Sequence, residues 1–183
     1  MTSTTCYVPS GADDWDDGSA TATTITARAN NSVDPPEPIQ DAYFNIDTSA
    51  IPDADTVSSA TLYWYDNAYT ASKGVTRVYN IAIWNNTSEG FEGCISGTYS
   101  GSAGWKNGAI PSERLASNYI NKTGNTLFIL YVVDPGGSYY RSWTVRAYEY
   151  VTSPNWRAYL VVTHAPAAGG VSRVSLLASL GVG

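Results

Sequence analysis

The chain has 183 residues, a length that accommodates one sizeable hydrophobic core or at most two small ones. Charged residues make up only 14% of it, aromatic residues make up 13%, and the net charge is −6. This acidic balance argues against partners such as nucleic acid or an anionic membrane, which need a basic surface that faces phosphates.

Short apolar-alternating segments, separated by clusters of Gly, Pro, Asn or Asp, run through most of the chain. In residues 44–65, "FNIDTSAIPDADTVSSATLYWY", Pro52 and Asp53 provide turn chemistry between two strand-like segments. The predicted strands are residues 3–8, 21–28, 40–47, 57–66, 75–84, 92–99, 125–133, 142–150 and 157–163. Short strands with this spacing predict an all-β fold, a single antiparallel β-sandwich of the jelly-roll type.

The first chemical candidate along the chain is the acidic segment "DDWDDG", which contains Asp13, Asp14, Asp16 and Asp17. Carboxylates this close repel one another unless a cation or solvent screens them, and Ca²⁺ takes its ligands from oxygen atoms. The spacing is not that of an EF-hand. A calcium site and a solvated acidic loop are therefore both open readings, and no other cofactor is expected.

Aromatic residues in predicted loops raise the question of glycan binding. Trp105 lies in the Gly-rich segment "SGSAGWKNG", and Tyr139 and Tyr140 lie in the turn "DPGGSYYRSW". These three residues are the candidates for stacking on a sugar, although Tyr and Trp are also favoured at protein interfaces. We expect them to pack on neighbouring subunits and keep a host glycan as the alternative. The remaining tryptophans considered, expected in the core or at its rim, are Trp64, Trp84, Trp143 and Trp156.

Two later segments depart from the strand pattern. Residues 111–121 predict one short helix, with Ser112 as its N-cap. Residues 165–170 have linker composition, which divides the chain into a sandwich domain at 1–164 and a C-terminal extension at 165–183. The extension is too short to bury its own apolar side chains, so we expect it to dock on a neighbouring protein. Its apolar residues are Val171, Val174, Leu176, Leu177 and Leu180.

The sequence offers little catalytic chemistry. The single histidine, His164, falls at the end of a predicted strand, where a surface position is expected, and no nucleophile elbow, zinc-protease motif or P-loop is found. We therefore predict that the protein is not an enzyme. No secretory leader or membrane span is evident, so we expect synthesis in a cytoplasm and free thiols at Cys6 and Cys94, with a disulfide between them as the alternative.

A family resemblance is carried mainly by residues 41–65, "DAYFNIDTSAIPDADTVSSATLYWY". This segment resembles the signature of DNRLRE-type domains, which are β-sandwiches similar to carbohydrate-binding modules. The matching residues are Phe44, Asp47, Ser49, Ile51, Pro52, Ser59, Ala60, Leu62 and Tyr65. Residues 111–132 are similar to the family's short helix and buried strand. Residues 148–164 are similar to its closing strand, with Ala158 and His164 in place of the usual Pro and Tyr.

The resemblance implies a β-sandwich in one of two settings, a module of a large secreted bacterial protein or a stand-alone bacteriophage protein. One such domain with a short tail and no evident leader resembles the phage setting. We therefore expect a non-enzymatic structural protein of the virion, either a capsid decoration protein or a head or tail appendage. Its expected partners are the major capsid protein or another virion protein and sister copies of itself. The alternative is a carbohydrate-binding module or a glycan-adhesive surface protein.

Overall fold

The computed structural model describes residues 1–9, 13–15, 24–30, 41–99, 101–133, 140–146 and 157–167, with the backbone alone at 13–15, 30 and 140. These residues form eleven β-strands and one 3₁₀ turn, Ser112–Arg114. The strands are β1 Thr2–Tyr7, β2 Asp13–Trp15, β3 Thr24–Asn30, β4 Ala42–Asp47, β5 Asp55–Ala71, β6 Val78–Asn85, β7 Gly90–Thr98, β8 Gly104–Ala109, β9 Asn125–Tyr131, β10 Tyr140–Arg146 and β11 Tyr159–Pro166. In the described part of the chain, no helix has the length and apolar character needed to cross a bilayer.

The strands form two antiparallel sheets that pack face to face, so the predicted β-sandwich is confirmed. One sheet has six strands in the order β1-β11-β5-β10-β3, with β8 also paired to β5, and the other has the order β2-β4-β9-β6-β7. Eight of these strands follow the jelly-roll order, β1-β11-β5-β8 opposite β4-β9-β6-β7. The remaining three, β2, β3 and β10, extend the two sheets.

The long strand β5 organises the six-stranded sheet. Its Asp66 pairs with Gly104 of β8 on one side and with Val145 of β10 on the other. At Thr61, β8 and β11 also lie on opposite sides of β5. The strands β10 and β11 therefore pair with the same edge of β5, one after the other, and β8 pairs with the other edge. One strand therefore connects both halves of this sheet.

The core lies between the sheets and follows from the strand period of two. In β4 and β9 buried positions alternate with partly exposed ones, except for an apolar run at Phe128–Leu130. The largest side chains that are almost completely buried are Trp64, Trp143, Phe44 and Phe128. Thus the predicted core tryptophans Trp64 and Trp143 are confirmed, Trp84 is partly exposed, and Trp156 lies outside the described residues.

All nine predicted strands are found, but the structure adds β2 and β8 and shortens the predicted helix. Only Ser112–Arg114 is helical, and Ser112 makes no capping hydrogen bond. Further along the predicted helix, the Asn118 carbonyl accepts from both the backbone and the side-chain nitrogen of Asn86, at 2.9 and 3.0 Å, and not from a helical N–H. At the C-terminal end, β11 continues to Pro166, three residues beyond the predicted strand.

Candidate binding surface

The outward side of the six-stranded sheet carries a cluster of aromatic rings. Along β5, Leu62, Trp64 and Asp66 are buried, so the alternation of the strand turns Tyr63 and Tyr65 outward. The register places Tyr159 of β11 opposite Tyr63, and Tyr7 of β1 opposite Tyr159. We call the aromatic face the set Tyr7, Tyr63, Tyr65, Trp105 and Tyr159.

The rings of the aromatic face touch one another in a continuous series. Tyr63 and Tyr159 are stacked, with centroids 4.7 Å apart and planes only 5° from parallel. Tyr7 lies 5.7 Å from Tyr159, and Trp105 lies edge-on to Tyr65 at 5.8 Å and to Tyr159 at 5.5 Å. Cross-strand aromatic pairs of this kind stabilise a sheet surface and hold the side chains in fixed orientations.

The aromatic face remains open to solvent in places where a partner could contact it. Tyr7 is 42% exposed and Trp105 is 41% exposed, and they are two of the four large apolar residues that are exposed among the described residues. The other three rings are partly exposed. Partial burial among its neighbours raises the pKa of Tyr159 above its ordinary value. Two exposed aromatic residues on one rigid patch are a feature of binding surfaces.

Arginines flank the aromatic face. The guanidinium of Arg157 lies over the Tyr7 ring, 4.1 Å from its centroid, and that of Arg146 lies 6.0 Å from the centroid of Tyr65. Strand alternation puts Arg28 of β3 on the same side of the sheet, opposite the buried Ala27 and Ala29. Arg28 and Arg146 are the charged side chains among the described strand residues that point outward from this sheet. Arg157, which lies just before β11, adds a third arginine on this side.

The structure brings together only part of the predicted glycan-contacting set. Trp105 lies in β8 and not in a loop, which corrects the sequence prediction, and its ring joins those of Tyr65 and Tyr159. Tyr140 begins β10, with its side chain outside the description, and Tyr139 lies outside the described residues.

Sequence reasoning missed Tyr7, Tyr63, Tyr65 and Tyr159 as members of a site. The alternation of "TLYWYD" gives a usable signal, because it separates Trp64 from its two tyrosine neighbours.

The acidic segment is only partly described. Asp13 and Asp14 pair with Phe44 and Tyr43 as part of β2, so the backbone there is a strand and the predicted loop is wrong at these positions. Ladder hydrogen bonds to β4 hold this backbone extended. Asp16 and Asp17 lie outside the described residues. Within the part of the chain that the structure describes, no group of three or more His, Cys, Asp or Glu could hold a metal.

The apolar residues of the predicted docking tail all lie in the segment 168–183, which is outside the described ranges. They are Val171, Val174, Leu176, Leu177 and Leu180. Their role stays a prediction.

His164 is buried, which corrects the expected surface position. Its Nδ1 lies 2.6 Å from Asp55 Oδ2 and its Nε2 lies 2.8 Å from Thr4 Oγ1, so the imidazole joins β1, β5 and β11. This is the connectivity of a hydrolase triad, with Thr4 in the position of the nucleophile. However, His164 is only 3% exposed, and the cleft of about 440 Å³ that Asp55 helps to line is lined by neither Thr4 nor His164. The arrangement therefore suits a buried connection between strands.

A second aromatic cluster lies inside the sandwich around Asp66. Both Trp64 Nε1 and Trp143 Nε1 donate to Asp66 Oδ1, at 2.8 and 2.9 Å, while the buried Oδ2 has no hydrogen-bond partner. Burial raises the pKa of Asp66, although the two indole donors and Lys106 lower it. Tyr79 stacks on Trp143 at 4.8 Å. We call the interior cluster the set Trp64, Asp66, Tyr79 and Trp143.

The two cysteines are free thiols, as expected, and they lie in opposite sheets. Cys6 lies in β1 and Cys94 in β7. Burial raises the pKa of Cys6 to about 11 and that of Cys94 to about 12. Thiols with raised pKa values are poor nucleophiles at neutral pH, because the thiolate is the reactive form.

Comparisons with known proteins leave the resemblance as a prediction. Neither a scan against protein-family models nor a search of curated proteins finds a match for this chain. Function must therefore be argued from the surface itself. The aromatic face combines fixed rings, exposed apolar area and positive charge, an arrangement that can bind a partner without covalent chemistry.

Proposed function

We propose that the chain is a non-enzymatic structural protein of a bacteriophage particle, either a capsid decoration protein or a head or tail appendage. In this role it binds the shell and sister copies of itself. The single observation that carries the binding role is the aromatic face with its flanking arginines on a rigid sandwich. The phage setting comes from the sequence resemblance to DNRLRE-type domains.

The composition and orientation of the rings favour a protein partner. Tyr63 and Tyr159 are stacked on each other, and Arg157 lies over Tyr7, so much of the flat ring area is already in use within the chain. Tyr7 and Trp105 are the rings of this face that remain clearly exposed. Tyr, Trp and Arg are the residues that dominate the energetics of protein interfaces.

Attachment to the shell is proposed to use the C-terminal tail from about Val171 to Gly183, whose apolar side chains are expected to dock on a neighbour. Burying each of them would contribute roughly 1.5–3 kcal/mol before the cost of ordering the segment. Many copies on a symmetric shell would turn weak single contacts into stable attachment through avidity.

The proposal is tested by mass spectrometry of particles purified on a density gradient from the strain that encodes this sequence. We expect the chain in the particle fraction at a fixed ratio to the major capsid protein. A second sample washed in high salt separates bound copies from trapped ones. Absence of the chain from the purified particles, while it is present in the lysate, would contradict a virion role.

A second candidate function, glycan binding, is favoured by one observation, the exposed indole of Trp105. An exposed Trp on a sheet surface can stack on a sugar ring. Electrophoresis through gels that contain host polysaccharide tests it, with Trp105→Ala as the variant and Trp84→Ala, on the other sheet, as the control. Retardation that Trp105→Ala alone abolishes would favour this function.

A further inference from the structure

The cleft of about 440 Å³ lies where the long strand β5 begins. One wall is formed by the first residues of β5, and the other by the segment that follows the 3₁₀ turn. Val57 and Leu115 are partly buried and pack against the core, whereas Ser58, Ala116 and Ser117 are exposed. The cleft therefore combines apolar groups close to the core with hydroxyl groups at exposed positions. We call it the β5 cleft, and its lining includes Val57, Ser58, Leu115, Ala116, Ser117 and Ile120.

The wall formed by β5 is a strand edge that has no strand partner in the part of the chain that the structure describes. On this edge β8 pairs with Thr61–Asp66, and the Ile110 N–H donates to the Ala60 carbonyl at 2.9 Å. Pro111 follows, and a proline has no N–H with which to continue the ladder. The edge of β5 at residues 55–59 is therefore left open beside the cleft.

Backbone polar groups of β5 face the cleft along this edge. The Lys122 ammonium donates to the Asp53 carbonyl and, at 2.7 Å, to the Asp55 carbonyl. Since Lys122 lines the cleft, the Asp55 carbonyl points to the cleft side of the strand. Alternation along a strand puts the N–H and C=O of Val57 on the same edge. Edge groups of this kind are a template for pairing with another extended segment.

The C-terminal tail, residues 171–183, follows β11 at a point next to this cleft. Pro166, the last residue of β11, pairs with Asp55, which lines the cleft. A position on the far edge of β5 lies two strand spacings from β11, about 10 Å away. Residues 167–172 can span up to about 20 Å when extended, which is enough to pass around the end of β5. The residues from Val174 onward can therefore reach the cleft of their own chain.

The composition and the tether of the tail favour the chain's own tail as the occupant. The segment "VSRVSLLASLGVG" has one charged residue, Arg173, and otherwise offers aliphatic side chains, serine hydroxyls and glycine. These groups match the apolar and hydroxyl-bearing lining of the β5 cleft. A short tether gives the tail an effective concentration in roughly the millimolar range at its own cleft. The tail of a second copy reaches that concentration only in very concentrated solutions.

We propose that the C-terminal tail docks in the β5 cleft of its own chain and pairs with the open edge of β5 near Val57. Burial of a few apolar side chains is largely offset by the cost of ordering the tail backbone, so docking is reversible. The proposed function assigns the same tail to attachment on the shell. Resting on that function, the β5 cleft holds the tail until the shell competes for it.

Disulfide trapping on the full chain tests the proposal, because a covalent bond accumulates even when docking is reversible. Ser117→Cys, at an exposed position of the cleft, is combined in turn with Val174→Cys, Leu177→Cys and Leu180→Cys. The control is Ser102→Cys with the same tail positions, since Ser102 is exposed and lies just before β8, far along β5 from the cleft. We expect at least one tail position to form an intramolecular disulfide with residue 117 about tenfold faster than with residue 102. Peptide mapping identifies the linked pair and separates it from disulfides that involve the native cysteines.

A second measurement needs no added cysteine. Methyl NMR spectra are compared between the wild-type full chain and the full chain with Leu176→Ser and Leu177→Ser. The methyl signals of Leu115 and Ile120, which line the cleft, should shift. Those of Ile25, buried in β3, should stay unchanged.

The proposal is overturned if no tail position links to residue 117 faster than to residue 102, or if the linked product is mainly a dimer of two chains. Cleft signals that ignore the two tail substitutions would also overturn it. A tail that is never trapped, on a chain that is found on purified particles, would refute this inference and leave the proposed function standing. A tail that is trapped, on a chain that is absent from particles, would refute the virion role and leave the docking standing.

Discussion

The interior cluster and the aromatic face are built from adjacent residues of β5, yet they do different work. Trp64 and Asp66 point inward, where two indole groups share one carboxylate oxygen in a fully buried site. Tyr63 and Tyr65 point outward and meet rings from β8 and β11. One alternating segment, "YWYD", therefore supplies both a core contact and a surface contact.

The comparison indicates which substitutions should change the stability of this sandwich and which should change its binding. Truncating a side chain of the interior cluster leaves a cavity or an unpaired polar group, and both destabilise the folded state. Truncating a side chain of the aromatic face removes only ring contacts that are already partly exposed to solvent. Substitutions on the two sides of β5 should therefore divide into those that unfold the chain and those that only impair its contacts.

The largest difference is expected between Trp64→Ala and Tyr63→Ala, neighbours on opposite sides of the strand. Trp64→Ala should lower the free energy of unfolding by about 3–5 kcal/mol, because it empties a fully buried site. Tyr63→Ala should cost only about 0.5–1.5 kcal/mol, the value of an aromatic pair. Urea denaturation of both variants measures this, and equal losses would break the distinction between the two clusters.

Replacing His164 with Gln extends the comparison to a third site, the buried contact of His164 with Thr4 and Asp55. The Gln amide cannot reproduce both ring contacts, so we expect a loss of about 1–3 kcal/mol in the free energy of unfolding. Thr4→Val, which removes the hydroxyl and keeps the shape, should lose part of this amount. An ester-hydrolysis assay on both variants completes the test. Hydrolysis by the wild-type chain that either variant abolishes would show that the arrangement is catalytic.

The pH dependence of stability should isolate Asp66. Burial raises its pKa in the folded state above the ordinary value of 3.8, so its contribution is fully present below that value. The contribution is then lost as the pH rises through the folded-state pKa. Relative to Asp66→Asn, which cannot ionise, the wild-type chain should therefore lose stability as the pH rises above about 4. Thermal unfolding of both chains across this range checks the sign, and a difference that grows with pH in favour of the wild type would contradict it.

The smallest effect on stability is expected from deleting residues 167–183. Because β11 ends at Pro166, the deletion removes no described strand. The free energy of unfolding should change by less than about 0.5 kcal/mol, while attachment to the shell is lost. Loss of folding on truncation would show that the tail belongs to the core.

Local patterns in the sequence were enough to predict the sandwich but not all of its strands. Alternation and turn residues are local signals, and they located nine strands. The missed strand β8 contains Gly104 and Gly108, which read as loop residues. At Gly108 a Cβ atom would lie 2.7 Å from the Ile95 side chain of the opposite sheet, so glycine there serves close packing and not a turn.

The candidate surface was less predictable because it depends on long-range register. The sequence identifies Trp105 as a candidate, but its partners Tyr65 and Tyr159 lie in other strands, and the sequence does not show how these strands pair. The same limit applies to His164, whose partners Thr4 and Asp55 lie far away in the chain. Local reasoning assigns faces to a strand, whereas pairing between distant strands decides which faces meet.

The central claim is that the aromatic face is a contact surface that the fold does not require. Its most direct test is to measure urea denaturation and light scattering on the same preparation of Trp105→Ala and of the wild-type chain. We expect the variant to lose no more than about 1–3 kcal/mol of stability, the value of its two ring contacts, and to lose the association of the wild-type chain. A variant that associates like the wild type, or that loses several kcal/mol of stability, would contradict the claim.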